Sequence, residues 1–342
     1  MKFLEHVPLA PYTTFGIGGP ARWFAEASSE DEALEAVVFA RERGLPLFIL
    51  GGGSNLLVSD DGFPGLVLHI ASKGIEQDGD LFRVAAGENW DAFVTHAVEL
   101  GYAGIECLAG IPGTVGGTPV QNVGAYGQEV AETIVRVRAL DLESLGFVEF
   151  EAADCAFAYR RSLFNSTARG RYLVTRVAYR LTHQGQPRLE YADLKKYFAN
   201  PPHPSLAEVA AGVRAIRREK GMLLVDGDAD CRSAGSFFKN PIISAEHYAR
   251  LVAAHGSAIP SYPASDEQVK LPAAWLLDQA GFKKSYKLGR AGISSRHTLA
   301  LINLGNATAS DVLALRDAII TEVEAKFAIH LEPEPVWLGP SV

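Results

Sequence analysis

Cysteine is scarce in this sequence. Cys107, Cys155 and Cys231 stand far apart with no paired spacing. So odd and sparse a set argues for a reducing compartment and against a disulfide framework. No Cys/His cluster has the spacing of metal ligands and the nine histidines are isolated, so no metal is expected. Long apolar runs are missing too. No stretch reaches the ~20 residues of a membrane helix, and the first residues lack the apolar centre of a signal peptide. Basic residues are the minority, 32 against 40 acidic, for a net charge of −8. That balance argues against nucleic acid or an anionic membrane as a general partner, while leaving room for a local basic pocket. The expectation is a cytoplasmic protein without repeats or low-complexity tracts.

The chain is long enough, at 342 residues, to need two or three domains, since single cores stop growing near ~250–300 residues. Hydrophobic residues make up 48% and charged residues 21%, the ordinary balance of a folded soluble protein. Ser29-x-x-Glu32 reads as a capping box opening a helix that Gly44 stops. The runs 47–50, 56–58 and 65–70 read as strands, with a turn at Asp60-Asp61-Gly62. From about 70 to 185 strands dominate, at 82–86, 135–140 and 172–181, around one helix at 90–100. The polar, Pro-rich stretch 183–204 reads as a linker or flap. Helices are expected at 206–220, 271–280 and 311–327, the last with an apolar stripe of Val312, Leu315, Ile319, Val323 and Phe327.

Several segments carry unusual chemistry. The strand ending in Gly51-Gly52-Gly53-Ser54-Asn55 exposes successive backbone N–H groups to a phosphate, or else makes a tight strand connection. It fits neither a Rossmann fingerprint nor a Walker loop, because the glycine spacing is wrong and a strand follows. A second loop holds five glycines within the 15 residues from Gly113 to Gly127, a heavy entropic load. Gln121, Asn122 and Tyr126 sit in it, able to hydrogen-bond a heterocycle. Two such loops suit a long bent cofactor. The run 155–159 looks like a strand that delivers Arg160 and Arg161, which alternation would point to opposite faces. Ser236, between a glycine and two aromatics, is either a turn serine or a hydroxyl in a dry site. In Glu332-Pro333-Glu334-Pro335 each proline enforces extended geometry, giving a rigid edge strand with both carboxylates on one face.

Eight segments occur in a telling order. They are Tyr12-Thr-Thr-Phe-Gly16, Gly51-Gly-Gly-Ser-Asn-Leu56, Gly110-Ile-Pro-Gly-Thr-Val-Gly-Gly117 and Gln121-Asn-Val-Gly-Ala-Tyr126. Then come Phe157-Ala-Tyr-Arg160, Ala234-Gly-Ser-Phe-Phe-Lys-Asn-Pro241, Lys270-Leu-Pro-Ala-Ala-Trp-Leu-Leu-Asp-Gln279 and Leu331-Glu-Pro-Glu334. This order resembles the UDP-N-acetylenolpyruvoylglucosamine reductase family, in the longer branch with a Tyr-bearing substrate loop, over about 8–339. The resemblance implies an α+β fold: a two-subdomain FAD-binding unit of the vanillyl-alcohol-oxidase/PCMH type plus a separate α+β substrate-binding domain. The expected division is 1–70 and 71–204 for the FAD subdomains, 205–328 for the substrate domain, and 329–342 as a strand returning to the active site. The implied reaction uses NADPH and FAD to reduce UDP-N-acetylglucosamine enolpyruvate to UDP-N-acetylmuramate in peptidoglycan precursor synthesis.

By position, the resemblance implies catalytic roles for Arg160, which stabilises the enolate, Ser236, the proton donor, and Glu334. It implies FAD contacts from Gly51, Gly52, Gly53, Ser54, Asn55, Leu56, Gly113, Gly116, Gly117, Gln121, Asn122, Gly124, Ala125, Tyr126 and Arg217. Substrate contacts fall to Tyr191, Lys220 and Asn240. The stretch after Lys220 departs from other branches, so Arg217 or Arg218 is an alternative holder of the diphosphate. No histidine stands in the first glycine loop, so FAD is expected without a covalent link. The partners expected are a nucleotide sugar and NADPH, and the protein is expected to be a monomer. The rivals are an FAD oxidase of sugars or alcohols, lacking the Ser236 and Glu334 segments, and a nucleotide-sugar sensor with a dead site.

Overall fold

The structure, a computed structural model, describes residues 1–199, 203–256, 259–265 and 267–340. It divides into two compact units. The first holds residues 1–7, 21–53 and 63–219, and the second holds 8–20, 54–62 and 220–342.

The first unit is built on two larger sheets. One runs in the order Leu4–Pro8, Pro20–Ala27, Phe63–Ile70, Leu47–Leu50, with the last three strands parallel. Parallel strands need a crossover, and helix α1 (Glu30–Glu42) carries the chain from Pro20–Ala27 to Leu47–Leu50, the two strands that flank Phe63–Ile70. The Ser29 hydroxyl accepts the Glu32 N–H at 3.2 Å, while the Glu32 carboxylate accepts from Ser28 at 2.7 Å. The expected box thus closes one residue early. Gly44, at φ +60°, ends the helix where only glycine is comfortable. Buried Ala33, Ala36, Val37 and Ala40 form its inner stripe.

The second sheet is antiparallel, in the order Phe147–Glu151, Ile134–Asp141, Tyr172–Arg180, Leu81–Ala85, Ile75–Asp78. Helix α2 (Trp90–Glu99) buries Trp90 and Phe93 against Tyr179, with ring centroids at 5.8 and 5.2 Å. The stretch expected to be a linker carries a short strand, Thr182–His183, paired with Tyr102–Ala103, and helix α3 (Ala192–Tyr197). Residues 200–202 of that stretch lie outside the described residues. Helix α4 (Leu206–Glu219) buries Val209, Val213 and Ile216.

In the second unit, Ile242–Ser244, Gln268–Lys270 and Tyr262–Ser265 form one antiparallel sheet, and Lys287–Leu288, Ala291–Ile293 and Leu301–Asn303 another. Helices α5 (Ala245–His255), α6 (Ala273–Gln279) and α7 (Ala309–Phe327) pack with them around one core. Pro272 takes the N-cap of α6, so the helix starts two residues later than expected. The apolar stripe of α7 is fully buried, and a Thr308–Asp311 capping box opens the helix.

Two expectations are corrected. Residues 155–159 do not form a strand. A capping box between Glu151 and Asp154 winds Ala152–Cys155 into a 3-10 turn, and Ala156 (φ +48°) and Arg160 (φ +54°) then reverse the chain. The segment 331–338 is a strand only over Val336–Leu338, parallel to Leu56–Val58; before that Pro333 makes a single antiparallel bridge to Phe238. Helix α4 sits in the first unit, tied there by the Arg214–Asp91 ion pair at 2.7 Å. Residues 8–20 and 54–62 join the second through pairings more than 200 residues apart, such as Asn303 Nδ2 to the Phe15 carbonyl at 3.0 Å.

Candidate active site

In the first unit the two glycine loops touch backbone to backbone. A Cβ on Gly52 would lie 2.6 Å from Gly113 Cα, and one on Gly51 would lie 2.7 Å from Thr114 Oγ1. Gly53 adopts φ +60°. Among the described residues no hydrogen bond engages the N–H of Gly52 or Gly53. N–H groups beside a left-handed residue make an anion-binding concavity. Gly116 is a packing glycine, its Cβ position 2.6 Å from that of Ala86, whereas a Cβ on Gly117 would meet no protein atom within 4 Å.

The second loop continues into a tight hairpin, Gly124–Ala125 paired with Gln128–Glu129. Its two central residues, Tyr126 and Gly127, have φ of +50° and +85°, as such a turn demands. Asn122 is 1% exposed, and its side chain is engaged within the protein: it donates to Glu129 (2.8 Å) and the Ala158 carbonyl (3.1 Å) and accepts from Ala131 N–H (3.1 Å).

Three hydrogen bonds fasten the Arg160 turn to this loop. Asn122 holds Ala158, the Ser162 hydroxyl donates to the Val120 carbonyl at 2.6 Å, and Arg160 Nη1 donates to the Gly124 carbonyl at 3.0 Å. The arginine is therefore presented from a rigid reversal, and its neighbour Arg161 pairs with Ala158 across that turn. Tyr126 is the hub of the remaining first-unit residues. Its ring meets that of Tyr191 edge-on at 5.5 Å, and its hydroxyl is hydrogen-bonded to Arg217. Arg217 is buried and donates from Nε to the Gly110 carbonyl at 3.0 Å. Burial pushes its guanidinium below its ordinary value, partly offset by Tyr126 and Asp91.

In the second unit, Ser236 lies on a segment gripped from both sides. Phe237 N–H donates to the Leu299 carbonyl at 2.8 Å; Glu334 N–H donates to the Phe237 carbonyl at 2.8 Å and Lys239 N–H to the Glu332 carbonyl at 3.0 Å. Gly235, at φ +76°, permits the turn that brings Ser236 there. Ser236 Oγ lies 3.2 Å from His297 Nε2. Asn55 is bound to the Glu334 segment by its side chain, and Leu56 is a buried strand residue paired with Val336. The Ser54 carbonyl accepts from Thr14 Oγ1 at 3.5 Å. Asn240 Oδ1 caps α6 by accepting the Ala273 N–H at 2.9 Å. Lys220 precedes Gly221, whose left-handed turn (φ +66°) starts the loop that runs to Cys231.

A model of FAD-binding domains matches residues 21–144, and a model described as the C-terminal domain of UDP-N-acetylenolpyruvoylglucosamine reductase matches 227–338. The chain is 44% identical to the UDP-N-acetylenolpyruvoylglucosamine reductase of Thermobifida fusca, covering 99% of this chain and 98% of that one. The chain belongs to the UDP-N-acetylenolpyruvoylglucosamine reductase family.

Other full-length relatives of that name come from Streptomyces coelicolor (45% identical, covering 98% of this chain and 90% of that one) and Pseudomonas syringae pv. tomato (40%, 96% and 97%). The solved UDP-N-acetylenolpyruvylglucosamine reductase of Thermus caldophilus is 26% identical, with a TM-score of 0.68 over 99% of this chain and 98% of that one. As a member of the reductase family, the protein is an FAD-dependent oxidoreductase of peptidoglycan precursor synthesis.

The cradle fits that cofactor. Gly51 and Gly52 admit no side chain, the Gly52 and Gly53 N–H groups suit a pyrophosphate, and the space beside Gly117 is open. Sequence reasoning missed His297 and the clamp that holds its turn. The nine histidines carry no distinguishing spacing, and 61 residues separate His297 from Ser236. Nor did anything in the sequence show that Arg296 pairs with Asp228 and Asp230. Among the described residues no helix is long and apolar enough to cross a membrane, and no group of three or more acidic, Cys or His side chains is placed to hold a metal ion.

Proposed function

We propose that Arg160, Ser236 and Glu334 carry the reduction of UDP-N-acetylglucosamine enolpyruvate to UDP-N-acetylmuramate, with NADPH as the reductant. Gly51, Gly52, Gly53, Gly113 and Gly117 would hold FAD by backbone contact, without a covalent link, and FAD so held would supply the hydride chemistry between NADPH and the enolpyruvyl carbon distal to the carboxylate. Arg217 fixes Tyr126 against the cofactor loop rather than titrating, because a guanidinium stays charged even when burial lowers its value.

As hydride adds, negative charge develops on the substrate carboxylate as an enolate. Arg160 clamps that charge, and a donor held in place before the reaction needs no reorganisation when it develops. Ser236 hands a proton to the carbon next to the carboxylate, so one hydride and one proton saturate the double bond. Glu334 orients the substrate or shares in that proton transfer. Tyr191, Lys220 and Asn240 bind the nucleotide sugar, with Arg217 or Arg218 as alternative partners of the diphosphate. The protein acts as a cytoplasmic monomer and binds no nucleic acid.

The observation that carries this reading is the Arg160 turn, stapled by three hydrogen bonds to the same loop that forms the cofactor cradle. The test is anaerobic. Purified protein should be yellow, release intact FAD with heat or acid, bleach with NADPH, and recover its absorbance on adding the enolpyruvyl substrate, with UDP-N-acetylmuramate as product. A colourless protein that takes up no FAD, or a bleached one that the substrate does not reoxidise, refutes the reading.

A further inference from the structure

We propose that His297 acts through Ser236, as the residue that resupplies the serine with its proton. The inference rests on the reading of Ser236 as proton donor and extends it. A hydroxyl is a poor acid at neutral pH, so a serine that gives up its proton in a transition state needs a partner to stabilise the oxyanion or replace the proton. Histidine is the side chain whose ordinary pKa, about 6.5, suits that task.

The geometry supplies such a partner. His297 Nε2 lies 3.2 Å from Ser236 Oγ, within hydrogen-bond reach. The two side chains are held in register by the backbone, since Phe237 N–H donates to the Leu299 carbonyl at 2.8 Å. The turn that carries the imidazole is itself pinned. Ser294 is fully buried, and its hydroxyl accepts the N–H groups of Arg296 (3.1 Å) and His297 (3.2 Å). Asp230 accepts from the Ser295 N–H (3.1 Å), the Ser295 hydroxyl (2.6 Å) and Arg296 Nε (2.8 Å). So much bonding around the turn fixes the backbone from which the ring projects.

The charged groups around the turn are engaged with one another. Arg296, next in the chain, is paired with Asp228 and Asp230. Lys239, beyond Ser236, is paired with Glu332. Asp278 of α6 accepts from Thr298 at 3.4 Å, and Glu334 stands on the segment bonded to Phe237. In the step itself the Ser236 O–H bond breaks as the new C–H bond forms on the substrate, and the His297 Nε2–H bond breaks as the serine O–H is restored. The imidazole is left neutral and recovers its proton from solvent.

The test uses the holoenzyme, first reduced by NADPH and then mixed anaerobically with substrate across pH 5.5 to 9. In wild type the reoxidation rate should fall as pH rises through one ionisation, and that ionisation should coincide with the His297 ring titration seen by ¹⁵N NMR. In His297→Gln, whose amide keeps a hydrogen bond but supplies no proton, reoxidation should drop roughly 10²-fold, the low end of what a positioned acid contributes, and lose this pH dependence. Flavin reduction by NADPH, which needs no proton at the substrate carbon, should be little changed. A His297→Gln enzyme that keeps the wild-type rate and profile overturns the proposal, as does a ring titration in wild type that does not match the kinetic one; the latter comparison needs no variant to fold. If instead Ser236→Ala reoxidises within about fivefold of wild type, below that same range, the reading of Ser236 itself is wrong. The two failures are therefore separable.

Discussion

The side-chain amide of Asn55 donates to the backbone carbonyl of Glu334 at 3.3 Å, and the N–H of Val336 returns a 2.9 Å bond to the Asn55 carbonyl. An asparagine from a glycine-rich loop thus sets the course of the chain around a proposed catalytic carboxylate 279 residues away. Read by position alone, Asn55 belonged to the cofactor. The structure gives its side chain a bond to the Glu334 segment.

Asn55→Ala should therefore lower stability by about 0.5–1.5 kcal/mol, the worth of one such hydrogen bond. Turnover should fall through the substrate half-reaction more than through flavin reduction. Thermal unfolding and separate stopped-flow measurement of the two half-reactions check this. Loss of FAD with no effect on reoxidation would return Asn55 to the cofactor.

Gly52→Ala and Gly117→Ala should behave differently. At Gly52 the new methyl collides with the backbone of Gly113 at 2.6 Å, so the loops must part and both stability and FAD affinity should fall, affinity by more than about tenfold, or 1.4 kcal/mol. At Gly117 the methyl meets no protein atom. That variant should leave the FAD-free protein about as stable as wild type and weaken FAD alone. Titration of FAD-stripped protein, with unfolding curves beside it, distinguishes the two.

Tyr191→Phe should weaken substrate binding up to roughly tenfold, by loss of one hydrogen bond, and leave flavin reduction by NADPH nearly unchanged. The Tyr191 ring already packs edge-on against Tyr126 at 5.5 Å, and phenylalanine preserves that contact. Equal damage to both half-reactions would place the hydroxyl at the flavin.

Asp230→Asn should be less stable than wild type by about 1–3 kcal/mol at neutral pH, and the gap should close in acid. Burial by itself raises the Asp230 carboxyl, but the Ser295 hydroxyl and N–H and the Arg296 guanidinium outweigh it and hold the group below its ordinary value. A depressed carboxylate stabilises the fold fully above about pH 4 and loses that contribution as pH falls through its folded value. Melting temperatures of both proteins from pH 7 to pH 3 check this; a constant gap would mean the clamp does not act through its charge.

Much of this protein was legible in its sequence because it rests on local rules. Ser29 as a cap, Gly44 as a stop and the stripe of α7 follow from helix geometry, and the glycines at 51–53 and 113–117 announce a backbone that something must approach closely. The order of the eight motifs implied the family. What tertiary structure alone decided is which distant groups meet. That residues 155–160 reverse instead of extending depended on a capping box and two left-handed residues outside glycine, a conformation that propensity disfavours and packing imposes. That residues 54–62 belong with 336–338, that Asn55 serves Glu334, and that His297 stands 3.2 Å from Ser236 are consequences of chain closure over tens to hundreds of residues. Periodicity and spacing carry no record of such pairings, because a hydrogen bond between remote segments is selected by their shared core and not by their neighbours in the chain.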